Sequence, residues 1–416
     1  MLHIHFGTGR LGLGLVAPFL KTPDSELFLL NRASSGHNVT GSTALDPARR
    51  NELLKCSLRH EYLIETPGSM QTSVTEPRER VQYDGFSVYG DGDVAQQVQE
   101  ILNGSRGKSK GIVVSGSVLT VENYVPVVDA LNAICRAKEA GDSEIGDVYL
   151  IACENTVSAH EVLKHDDLAD QIEEFTRKHV HCVHALVDRV CVEIEECTFE
   201  GEPEVMVRAE EYGSLKLELC PNTEGLPKLL QGSKAEFSRY LDIEKEIKLW
   251  LLNGSHWLIA LTAFRESDGN VDLKLDDFIN ATKDHRTYAA EVVNEMRDGI
   301  EALLRSNPQY APFVKDVDVS AYLDGAAASI LERFKANDDT ITRILARFRA
   351  PTPEETTTVQ SFVDRFLHKI EQPLVAYQAA KGIPPKAATQ GIFNLFRLQA
   401  SGTYVDTAHH QEDQAA

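Results

Sequence analysis

The chain has 416 residues, of which 42% are hydrophobic and 25% are charged, a composition typical of a globular protein with two or three domains. Its 63 acidic residues outnumber its 42 lysines and arginines, giving a formal net charge of -21. This balance argues against nucleic acid or a membrane surface as a partner, because both require a basic footprint. The seven cysteines form no C-x-x-C pair, which predicts reduced thiols and no Cys-rich zinc site. No signal peptide or membrane span is recognisable, so we expect a cytoplasmic protein.

The first elements in chain order are typical of a βαβ unit. Leu2 to Phe6 is a strand-like run, a glycine-rich turn follows at once, and Leu15 to Leu20 is apolar. Glu26 to Leu30 predicts a second strand. The segment 35–110 is harder to interpret, with short strands predicted near residues 62–64 and 86–89. Further strands are predicted at 111–115, 148–152, 180–187, 190–194, 205–207 and 215–219. Helices are predicted at 118–137, 240–252, 256–264, 288–304, 321–334, 341–348 and 356–370.

Apolar β-runs separated by helical patterns predict a parallel sheet covered on both faces. We therefore predict an α/β fold, with an N-terminal Rossmann-like doubly wound sheet and a mostly α-helical C-terminal domain. The predicted boundaries are 1–195 for the dinucleotide-binding domain, 196–400 for the helical substrate or catalytic domain, and 401–416 for a disordered tail. A cleft between two such domains is a natural place for an active site.

The turn after the first strand, Gly7-Thr8-Gly9-Arg10-Leu11-Gly12, fits G-x-G-x-x-G. In that pattern one glycine permits a tight turn, one lets a pyrophosphate approach the backbone, and one allows close packing of helix on strand. The helix N-terminus supplies amide donors and positive partial charge. The motif predicts dinucleotide binding by Gly7, Gly9, Arg10, Leu11 and Gly12. The alternative is a purely structural glycine turn.

The end of the second strand bears on the choice of cofactor. A carboxylate there would accept from the adenosine ribose and repel a 2′-phosphate. The chain instead has Asn31, Arg32 and Ser34, and Arg32 can pair with a phosphate. This favours NADP(H) without excluding NAD(H), and the alternative for Arg32 is a solvent-exposed loop residue. We also assign Ser115, in the predicted strand 111–115, to the cofactor-binding set.

The apolar helix around residues 247–260 carries three polar groups, Lys248, Asn253 and His256. On a regular helix Asn253 lies about 140° and His256 about 80° from Lys248, so all three can border one pocket. Apolar surroundings lower the pKa of an ammonium group, which makes a neutral amine available as a base. An amide can stabilise a developing oxyanion, and an imidazole can hold a proton. The alternative is a core helix whose lysine reaches out to water.

The spacing Lys248-x-x-x-x-Asn253-x-x-His256 resembles the catalytic signature of the polyol-specific long-chain dehydrogenases. That family includes mannitol 2-dehydrogenase, mannitol-1-phosphate 5-dehydrogenase, and the tagaturonate and fructuronate reductases. Val187-Asp188-Arg189-Val190 resembles the family's V-D-R-I segment, and Ala152-Cys153-Glu154-Asn155 resembles its C-E-N or C-D-N segment. The matches follow the family order from the glycine turn to His256. At the end of the second strand the chain lacks the acidic residue common in NAD-using members.

The resemblance implies a metal-independent NAD(P)-dependent oxidoreductase. Lys248 would be the general base in alcohol oxidation and the acid in ketone reduction, while Asn155 and Asn253 would stabilise the substrate oxyanion. His256 would bind substrate hydroxyls or orient the lysine. Asp188 would contact substrate or support the site, with a carboxylate paired to a neighbouring arginine as an equal alternative. Arg189 is expected to be structural.

The C-terminal third matches the family only loosely. Arg347, Arg365 and Lys369 lie where phosphohexitol enzymes carry basic residues, so they are candidates for binding a substrate phosphate or carboxylate. Arg365 and Lys369 also have the i,i+4 spacing of a solvated helix face. The expected partner is a small polyol, sugar phosphate or sugar acid. His3 and His5 share one face of the first strand, but packing explains them better than a metal site does.

Two functions from different classes remain open. One is an enzyme that interconverts a secondary alcohol and a ketone on such a substrate. The other is a non-catalytic dinucleotide-binding sensor derived from the same fold. Lys248 together with Asn155 and Asn253 discriminates between them, because a sensor has no reason to keep a costly buried lysine beside two amides.

Overall fold

The fold is described from a computed structural model, which describes residues 1–33, 45–66, 78–90, 93–141, 144–153, 158–270, 272–336, 339–346 and 368–400. The chain divides into two compact units, Met1–Leu241 and Asp242–Ala416. Among the described residues, no helix has both the length and the apolar character that crossing a bilayer demands.

The first unit contains all the named strands. They are β1 (Leu2–Phe6), β2 (Glu26–Arg32), β3 (Glu61–Glu65), β4 (Arg78–Gln82), β5 (Gly85–Tyr89), β6 (Ile112–Gly116), β7 (Val148–Ala152), β8 (Val180–Val183), β9 (Ala185–Asp188), β10 (Cys191–Phe199), β11 (Glu202–Ala209), β12 (Ser214–Glu218) and β13 (Glu236–Ser238). Its helices are α1 (Ala17–Leu20), α2 (Pro47–Cys56), α3 (Val94–Gly104), α4 (Val125–Glu139), α5 (Ala159–Val162), α6 (Asp166–Ala169), α7 (Glu174–His179) and α8 (Leu226–Leu229). A π-helical segment, Gly12–Val16, leads directly into α1.

Six parallel strands form the main sheet, in the order β5-β2-β1-β6-β7-β8. Strand β1 is central, and the direction of chain progression reverses between β1 and β6. The predicted strands at 111–115 and 148–152 are confirmed as β6 and β7. In doubly wound sheets ligands bind outside the carboxyl ends of the strands at such a reversal. The turn after β1 therefore lies at the topologically favoured position.

The main sheet is covered on both faces, which confirms the predicted doubly wound fold. Alternate residues of β1, namely Leu2, Ile4 and Phe6, are fully buried in a core shared with α3 and α4. On the other face, Val113 and Ile151 pack with Leu15 of the glycine-turn helix. Burying each such side chain contributes about 1.5–3 kcal/mol, so the central strands provide much of the stability of the unit.

Two smaller sheets extend the first unit beyond the predicted boundary at residue 195. One has the order β10-β11-β3-β4 and the other the order β13-β12-β9. Met206 of β11 pairs with Leu63 of β3, and Leu215 of β12 pairs with Val187 of β9. The division at Leu241 differs from the prediction because these strands hydrogen-bond to earlier parts of the chain. The predicted single strand 180–187 is likewise two strands, β8 and β9, in different sheets.

The second unit is helical in the residues that the structure describes. Its helices are α9 (Leu241–Ile247), α10 (Ser255–Glu266), α11 (Leu275–Ala281), α12 (Lys283–Ser306), α13 (Ala311–Asp316), α14 (Val319–Ala336), α15 (Ile341–Ala346), α16 (His368–Lys381) and α17 (Lys386–Ala400). A second π-helical segment, Lys248–Gly254, joins α9 to α10. The predicted tail, 401–416, lies outside the described residues, as does most of the predicted helix 356–370.

Close helix packing and one half-buried carboxylate stabilise the second unit. A side chain on Gly299 of α12 would lie 2.2 Å from the carbonyl oxygen of Pro373 in α16, so these helices touch through their backbones. The Glu295 carboxylate accepts hydrogen bonds from the amides of Ala387 and Ala388, at 3.1 and 2.8 Å. Those amides begin α17, where a negative charge is favoured.

Candidate functional site

The three glycines of the first turn meet three different steric demands. Gly7 has φ +101°, and a Cβ there would lie 2.5 Å from the carbonyl oxygen of Ser117. A Cβ on Gly12 would lie 2.1 Å from the carbonyl oxygen of Gly7, so the helix can approach the strand only through glycine. A Cβ on Gly9 would meet no atom of the described residues within 4 Å. Within the described part of the chain, the turn therefore has two packed glycines and one that faces open space.

This geometry fits a dinucleotide pyrophosphate. The backbone at Gly9 is open to a ligand, and the helix that follows runs from residue 10 to residue 20. Its first amides point toward the turn, as the N-terminus of an anion-binding helix requires. The Thr8 hydroxyl is buried, and its oxygen forms no hydrogen bond with the residues that the structure describes. Arg10 and Leu11 lie in the first turn of the helix, both partly exposed.

A buried hydrogen-bonded chain lies beneath the turn. His5 Nε2 donates to the carbonyl oxygen of Gly7 at 2.9 Å, which makes His5 Nδ1 the acceptor for the Ser115 hydroxyl at 2.8 Å. His3 Nε2 then donates to the same Ser115 oxygen at 2.8 Å. Ser117 adds a hydroxyl donor to Gly7, at 3.2 Å. The carbonyl that closes the glycine turn is thus held by one side chain of β1 and by one that directly follows β6.

Ser115 and the two histidines are structural in this arrangement. All three are fully buried, and the Ser115 hydroxyl is engaged by both imidazoles. Burial is the main cause that lowers the pKa of His5 to about 4 and that of His3 well below its ordinary value. Both rings are therefore neutral near pH 7. Ser115 acts on the turn through His5, and its hydroxyl is fully buried rather than open to a cofactor.

The end of β2 is tied to the glycine turn by a pair of amides. Asn31 Oδ1 accepts from the backbone amide of Thr8 at 3.3 Å, and Asn31 Nδ2 donates to Asn51 Oδ1 at 2.7 Å. Asn51 in turn donates to the carbonyl oxygen of Arg32 at 3.1 Å. Arg32 is exposed at the last position of the strand, and Ser34 lies outside the described residues. Asn31 thus positions the turn, whereas Arg32 is available to a ligand from solvent.

Lys248 and Asn253 lie on the π-helical segment, not on a regular α-helix. In a π-helix each amide bonds to the carbonyl five residues earlier, so residues five apart lie nearly above one another. The 140° separation expected from regular helix geometry is therefore wrong for this pair. Both side chains are partly buried, among the buried residues Trp250, Leu251 and Leu252. Single π-turns inside helices occur frequently at functional sites.

His256 is buried against an aromatic ring and a carboxylate. Its ring stacks on Phe334 with centroids 4.7 Å apart, and only 6% of the residue is exposed. His256 Nε2 lies 3.9 Å from Asp339 Oδ2, while Asp339 Oδ1 lies 3.4 Å from Arg343 Nε. The fully buried Asp339 is thus flanked by an imidazole and a guanidinium. Its position favours a fixed orientation of the His256 ring.

Asp188, the last residue of β9, and Arg189, which follows it, have different environments. Asp188 is partly exposed at the last position of the strand, opposite Ser214. Arg189 Nη1 donates to the carbonyl oxygen of Gly14 at 2.5 Å, and its Nε donates to that of Glu210 at 2.9 Å. The guanidinium therefore braces the helix of the glycine turn, which agrees with the structural role expected for Arg189.

Five predicted site residues have no described side chain. Ser34, Asn155, Arg347 and Arg365 lie outside the described residues, and the side chain of Lys369 is likewise not described. Their assignments stay predictions.

Sequence reasoning missed Asn51, Ser117 and Asp339. Asp339 is far along the chain from His256, and no spacing rule connects residues from different helical segments. Ser117 follows the buried strand β6 directly, so its place beside the glycine turn could have been inferred from the parallel pairing of β1 with β6.

No known family model matches the sequence, and no curated protein matches it. A D-sorbitol dehydrogenase solved in substrate-free form is similar in structure, with 14% identity and a TM-score of 0.52 over 91% of this chain and 79% of that one. A Pseudomonas fluorescens mannitol 2-dehydrogenase, solved with NAD and D-mannitol, gives 14% identity and a TM-score of 0.47 over 94% and 78% of the two chains. A Ralstonia eutropha ketopantoate reductase gives 16% and 0.43 over 96% and 99%. The first likeness shows a shared fold, and the other two superpose too loosely to support an argument.

The packing of the turn predicts opposite outcomes for two glycine substitutions. Gly12→Ala should lower the free energy of unfolding by about 3 kcal/mol, because the new methyl group would collide with the Gly7 carbonyl. Gly9→Ala should change it by less than about 0.5 kcal/mol, because that position is open. Denaturant unfolding of both variants tests this. Equal destabilisation would contradict the geometry described for the turn.

The buried histidines predict a loss of stability in mild acid. With the pKa of His5 at about 4 in the folded protein, below its ordinary 6.5, the unfolded chain binds more protons between those values. The contribution of the neutral His5 ring to the free energy of unfolding is therefore complete above about pH 6.5 and falls as the pH drops toward 4. Between pH 7 and pH 5, the loss of this contribution should be about 2 kcal/mol.

Unfolding free energies of His5→Gln at the same two pH values isolate this contribution. The loss on acidification should be about 2 kcal/mol smaller in the variant than in the parent. The exposed His60 offers the matched control, because His60→Gln should lose as much unfolding free energy between pH 7 and pH 5 as the parent does. An identical loss in His5→Gln and the parent would show that His5 is not held neutral.

Proposed function

We propose that the protein is an NAD(P)-dependent oxidoreductase that interconverts a secondary alcohol and a ketone on a polyol, a hexitol phosphate or a sugar acid. The observation that carries the proposal is the glycine turn, open at Gly9 and packed at Gly7 and Gly12, at the point where the strand order of the sheet reverses. The fold shared with a D-sorbitol dehydrogenase supports the same class of reaction.

The cofactor is proposed to bind through the turn and the end of β2. Gly7, Gly9, Arg10, Leu11 and Gly12 would cradle the pyrophosphate, with amide donors from the start of the helix. When bound, the nicotinamide supplies the hydride acceptor for alcohol oxidation or the hydride donor for ketone reduction. Arg32, exposed at the strand end, and Ser34 would favour a ribose 2′-phosphate. We therefore propose NADP(H) as the preferred cofactor.

The proton chemistry is assigned to Lys248. Oxidation of a secondary alcohol releases a hydride from carbon and a proton from oxygen, so a base must take that proton. The Lys248 amine would accept it, and would return it during ketone reduction. Partly buried surroundings suit this role, because desolvation favours the neutral amine of a lysine.

Amides are assigned to the charge that develops on the substrate oxygen. Asn253, one π-turn after Lys248, would donate a hydrogen bond to that oxygen together with Asn155. His256, held by Phe334 and Asp339, would orient the lysine or bind a neighbouring hydroxyl. Asp188 is proposed to contact the substrate. Arg347, Arg365 and Lys369 are the proposed ligands of a substrate phosphate or carboxylate.

Removal of the base tests the catalytic assignment. Lys248→Ala should lower turnover more than about a hundredfold and leave NADPH binding, measured by cofactor fluorescence, nearly unchanged. Lys245→Ala, one helical turn earlier, is the matched control and should keep the parent rate. A Lys248→Ala variant as fast as the parent would remove lysine from the mechanism.

The substrate class is tested on the parent enzyme. A panel of polyols, hexitol phosphates and keto acids, assayed by the absorbance of the reduced cofactor with each nicotinamide, should give turnover with at least one compound. Stoichiometric dinucleotide binding without turnover on any of them would favour the sensor that the sequence left open.

Cofactor preference is tested at the end of β2. Arg32→Asp should weaken NADPH relative to NADH by about tenfold or more, because a carboxylate would repel the 2′-phosphate. Arg106, also exposed but placed beside Glu26 at the opposite end of β2, offers the control Arg106→Asp. If the ratio of the two dissociation constants did not move in Arg32→Asp, the assignment of Arg32 would fail.

A further inference from the structure

Two imidazoles and a carboxylate meet in the first unit, away from the glycine turn in sequence. His160 lies in helix α5, His184 lies between strands β8 and β9, and Glu218 is the last residue of β12. One possible ligand atom from each side chain lies within 4.8 Å of the other two. None of these three residues belongs to the proposed cofactor site or catalytic site.

The backbone around the three residues is held in place by hydrogen bonds. The amide of Glu218 donates to the carbonyl oxygen of His184 at 2.9 Å, which joins the end of β12 to the β8–β9 connection. Helix α5 begins with a reciprocal capping box between Ser158 and Glu161. The thiol of Cys182, in β8, donates to the carbonyl oxygen of Ala159 at 3.6 Å. The side chains therefore converge from a supported frame, as a metal site requires.

The contact between the two rings leaves a buried nitrogen unused. The ring centroids of His160 and His184 are 4.6 Å apart with an angle of 43° between the planes. Nδ1 of His184 is buried and forms no hydrogen bond with any residue in the described part of the chain. A buried nitrogen without a partner costs free energy that a ligand would recover.

Two histidines and one glutamate form a donor set that suits transition metals. Imidazole favours Zn²⁺, Co²⁺ and Ni²⁺ over Mg²⁺ and Ca²⁺, which prefer all-oxygen sites. Around tetrahedral Zn²⁺ with bonds of about 2.1 Å the donors lie about 3.4 Å apart, so movements of about 1 Å complete the site. Three protein ligands leave a fourth position for water or a small ligand.

We propose that His160, His184 and Glu218 form a binding site for one divalent transition-metal ion, with Zn²⁺ as the representative ion and one coordination position open to solvent. The site departs from the metal-independent character that the family resemblance implies. It does not rest on the proposed oxidoreductase function, because all three ligands belong to the first unit and none is assigned to the cofactor or the base.

The test is a Co²⁺ titration of the full-length protein after treatment with a chelator. The parent should bind one Co²⁺ per chain with the visible absorption of a four- or five-coordinate ion, and Zn²⁺ should displace it. His184→Gln and Glu218→Gln should each weaken binding about a hundredfold or more, since even supporting residues of metal sites are worth ten- to a hundredfold. No stoichiometric Co²⁺ in the parent, or parent-like binding by His184→Gln, would overturn the proposal.

Two controls separate this site from other histidines. His181→Gln, on β8 with its ring against Tyr149, should bind Co²⁺ like the parent. The double variant His409→Gln/His410→Gln removes the adjacent pair near the end of the sequence and should also bind like the parent. Binding lost in either control and retained in His184→Gln would assign the ion elsewhere.

A measurement on the parent alone guards against a variant that does not fold. X-ray absorption of the Zn²⁺-loaded protein should show two imidazoles and a carboxylate oxygen around the metal. Fewer than two imidazoles would indicate an adventitious ion only and would overturn the proposal. Neither experiment uses dinucleotide or substrate. Failure here would leave the oxidoreductase proposal standing, and failure of the oxidoreductase would leave the metal site standing.

Discussion

The close approach of Gly12 to the carbonyl oxygen of Gly7 is the constraint on which the first unit depends. With a side chain at position 12, the helix could not begin so near the end of β1, and the amides of its first turn could not point into the gap at Gly9. The same carbonyl accepts hydrogen bonds from His5 and Ser117. Backbone shape, helix placement and buried polar chemistry therefore converge on one oxygen atom.

In the second unit a π-helical turn, and not a glycine contact, places the polar side chains. A π-helical turn within the segment from α9 to α10 lets Lys248 and Asn253 share a side of the helix. His256, which is buried beside Asp339, follows one helical turn after Asn253. Inserting a π-turn weakens regular hydrogen bonding, so its presence at the most polar part of an apolar helix suggests a functional reason.

The local pattern of apolar residues and glycines was sufficient to predict β1, the glycine turn and β2, because a strand, a turn and a helix in immediate succession have few alternative folds. Contacts between residues distant in sequence could not be predicted from local pattern. The alternation of His3 and His5 does not indicate that Ser115 lies between their rings. The pairing of β11 with β3 places the end of the first unit at Leu241, later than predicted. The π-turn escaped prediction because helical periodicity assumes 3.6 residues per turn.

The central claim is that the open backbone at Gly9 receives a dinucleotide pyrophosphate. A crystal structure of the full-length protein with NADP⁺ tests it most directly. We expect pyrophosphate oxygens about 3 Å from the backbone amides of residues 9–12 and the 2′-phosphate beside Arg32. A dinucleotide bound anywhere else on the chain, or a turn that stays empty at saturating NADP⁺ and NAD⁺, would contradict it.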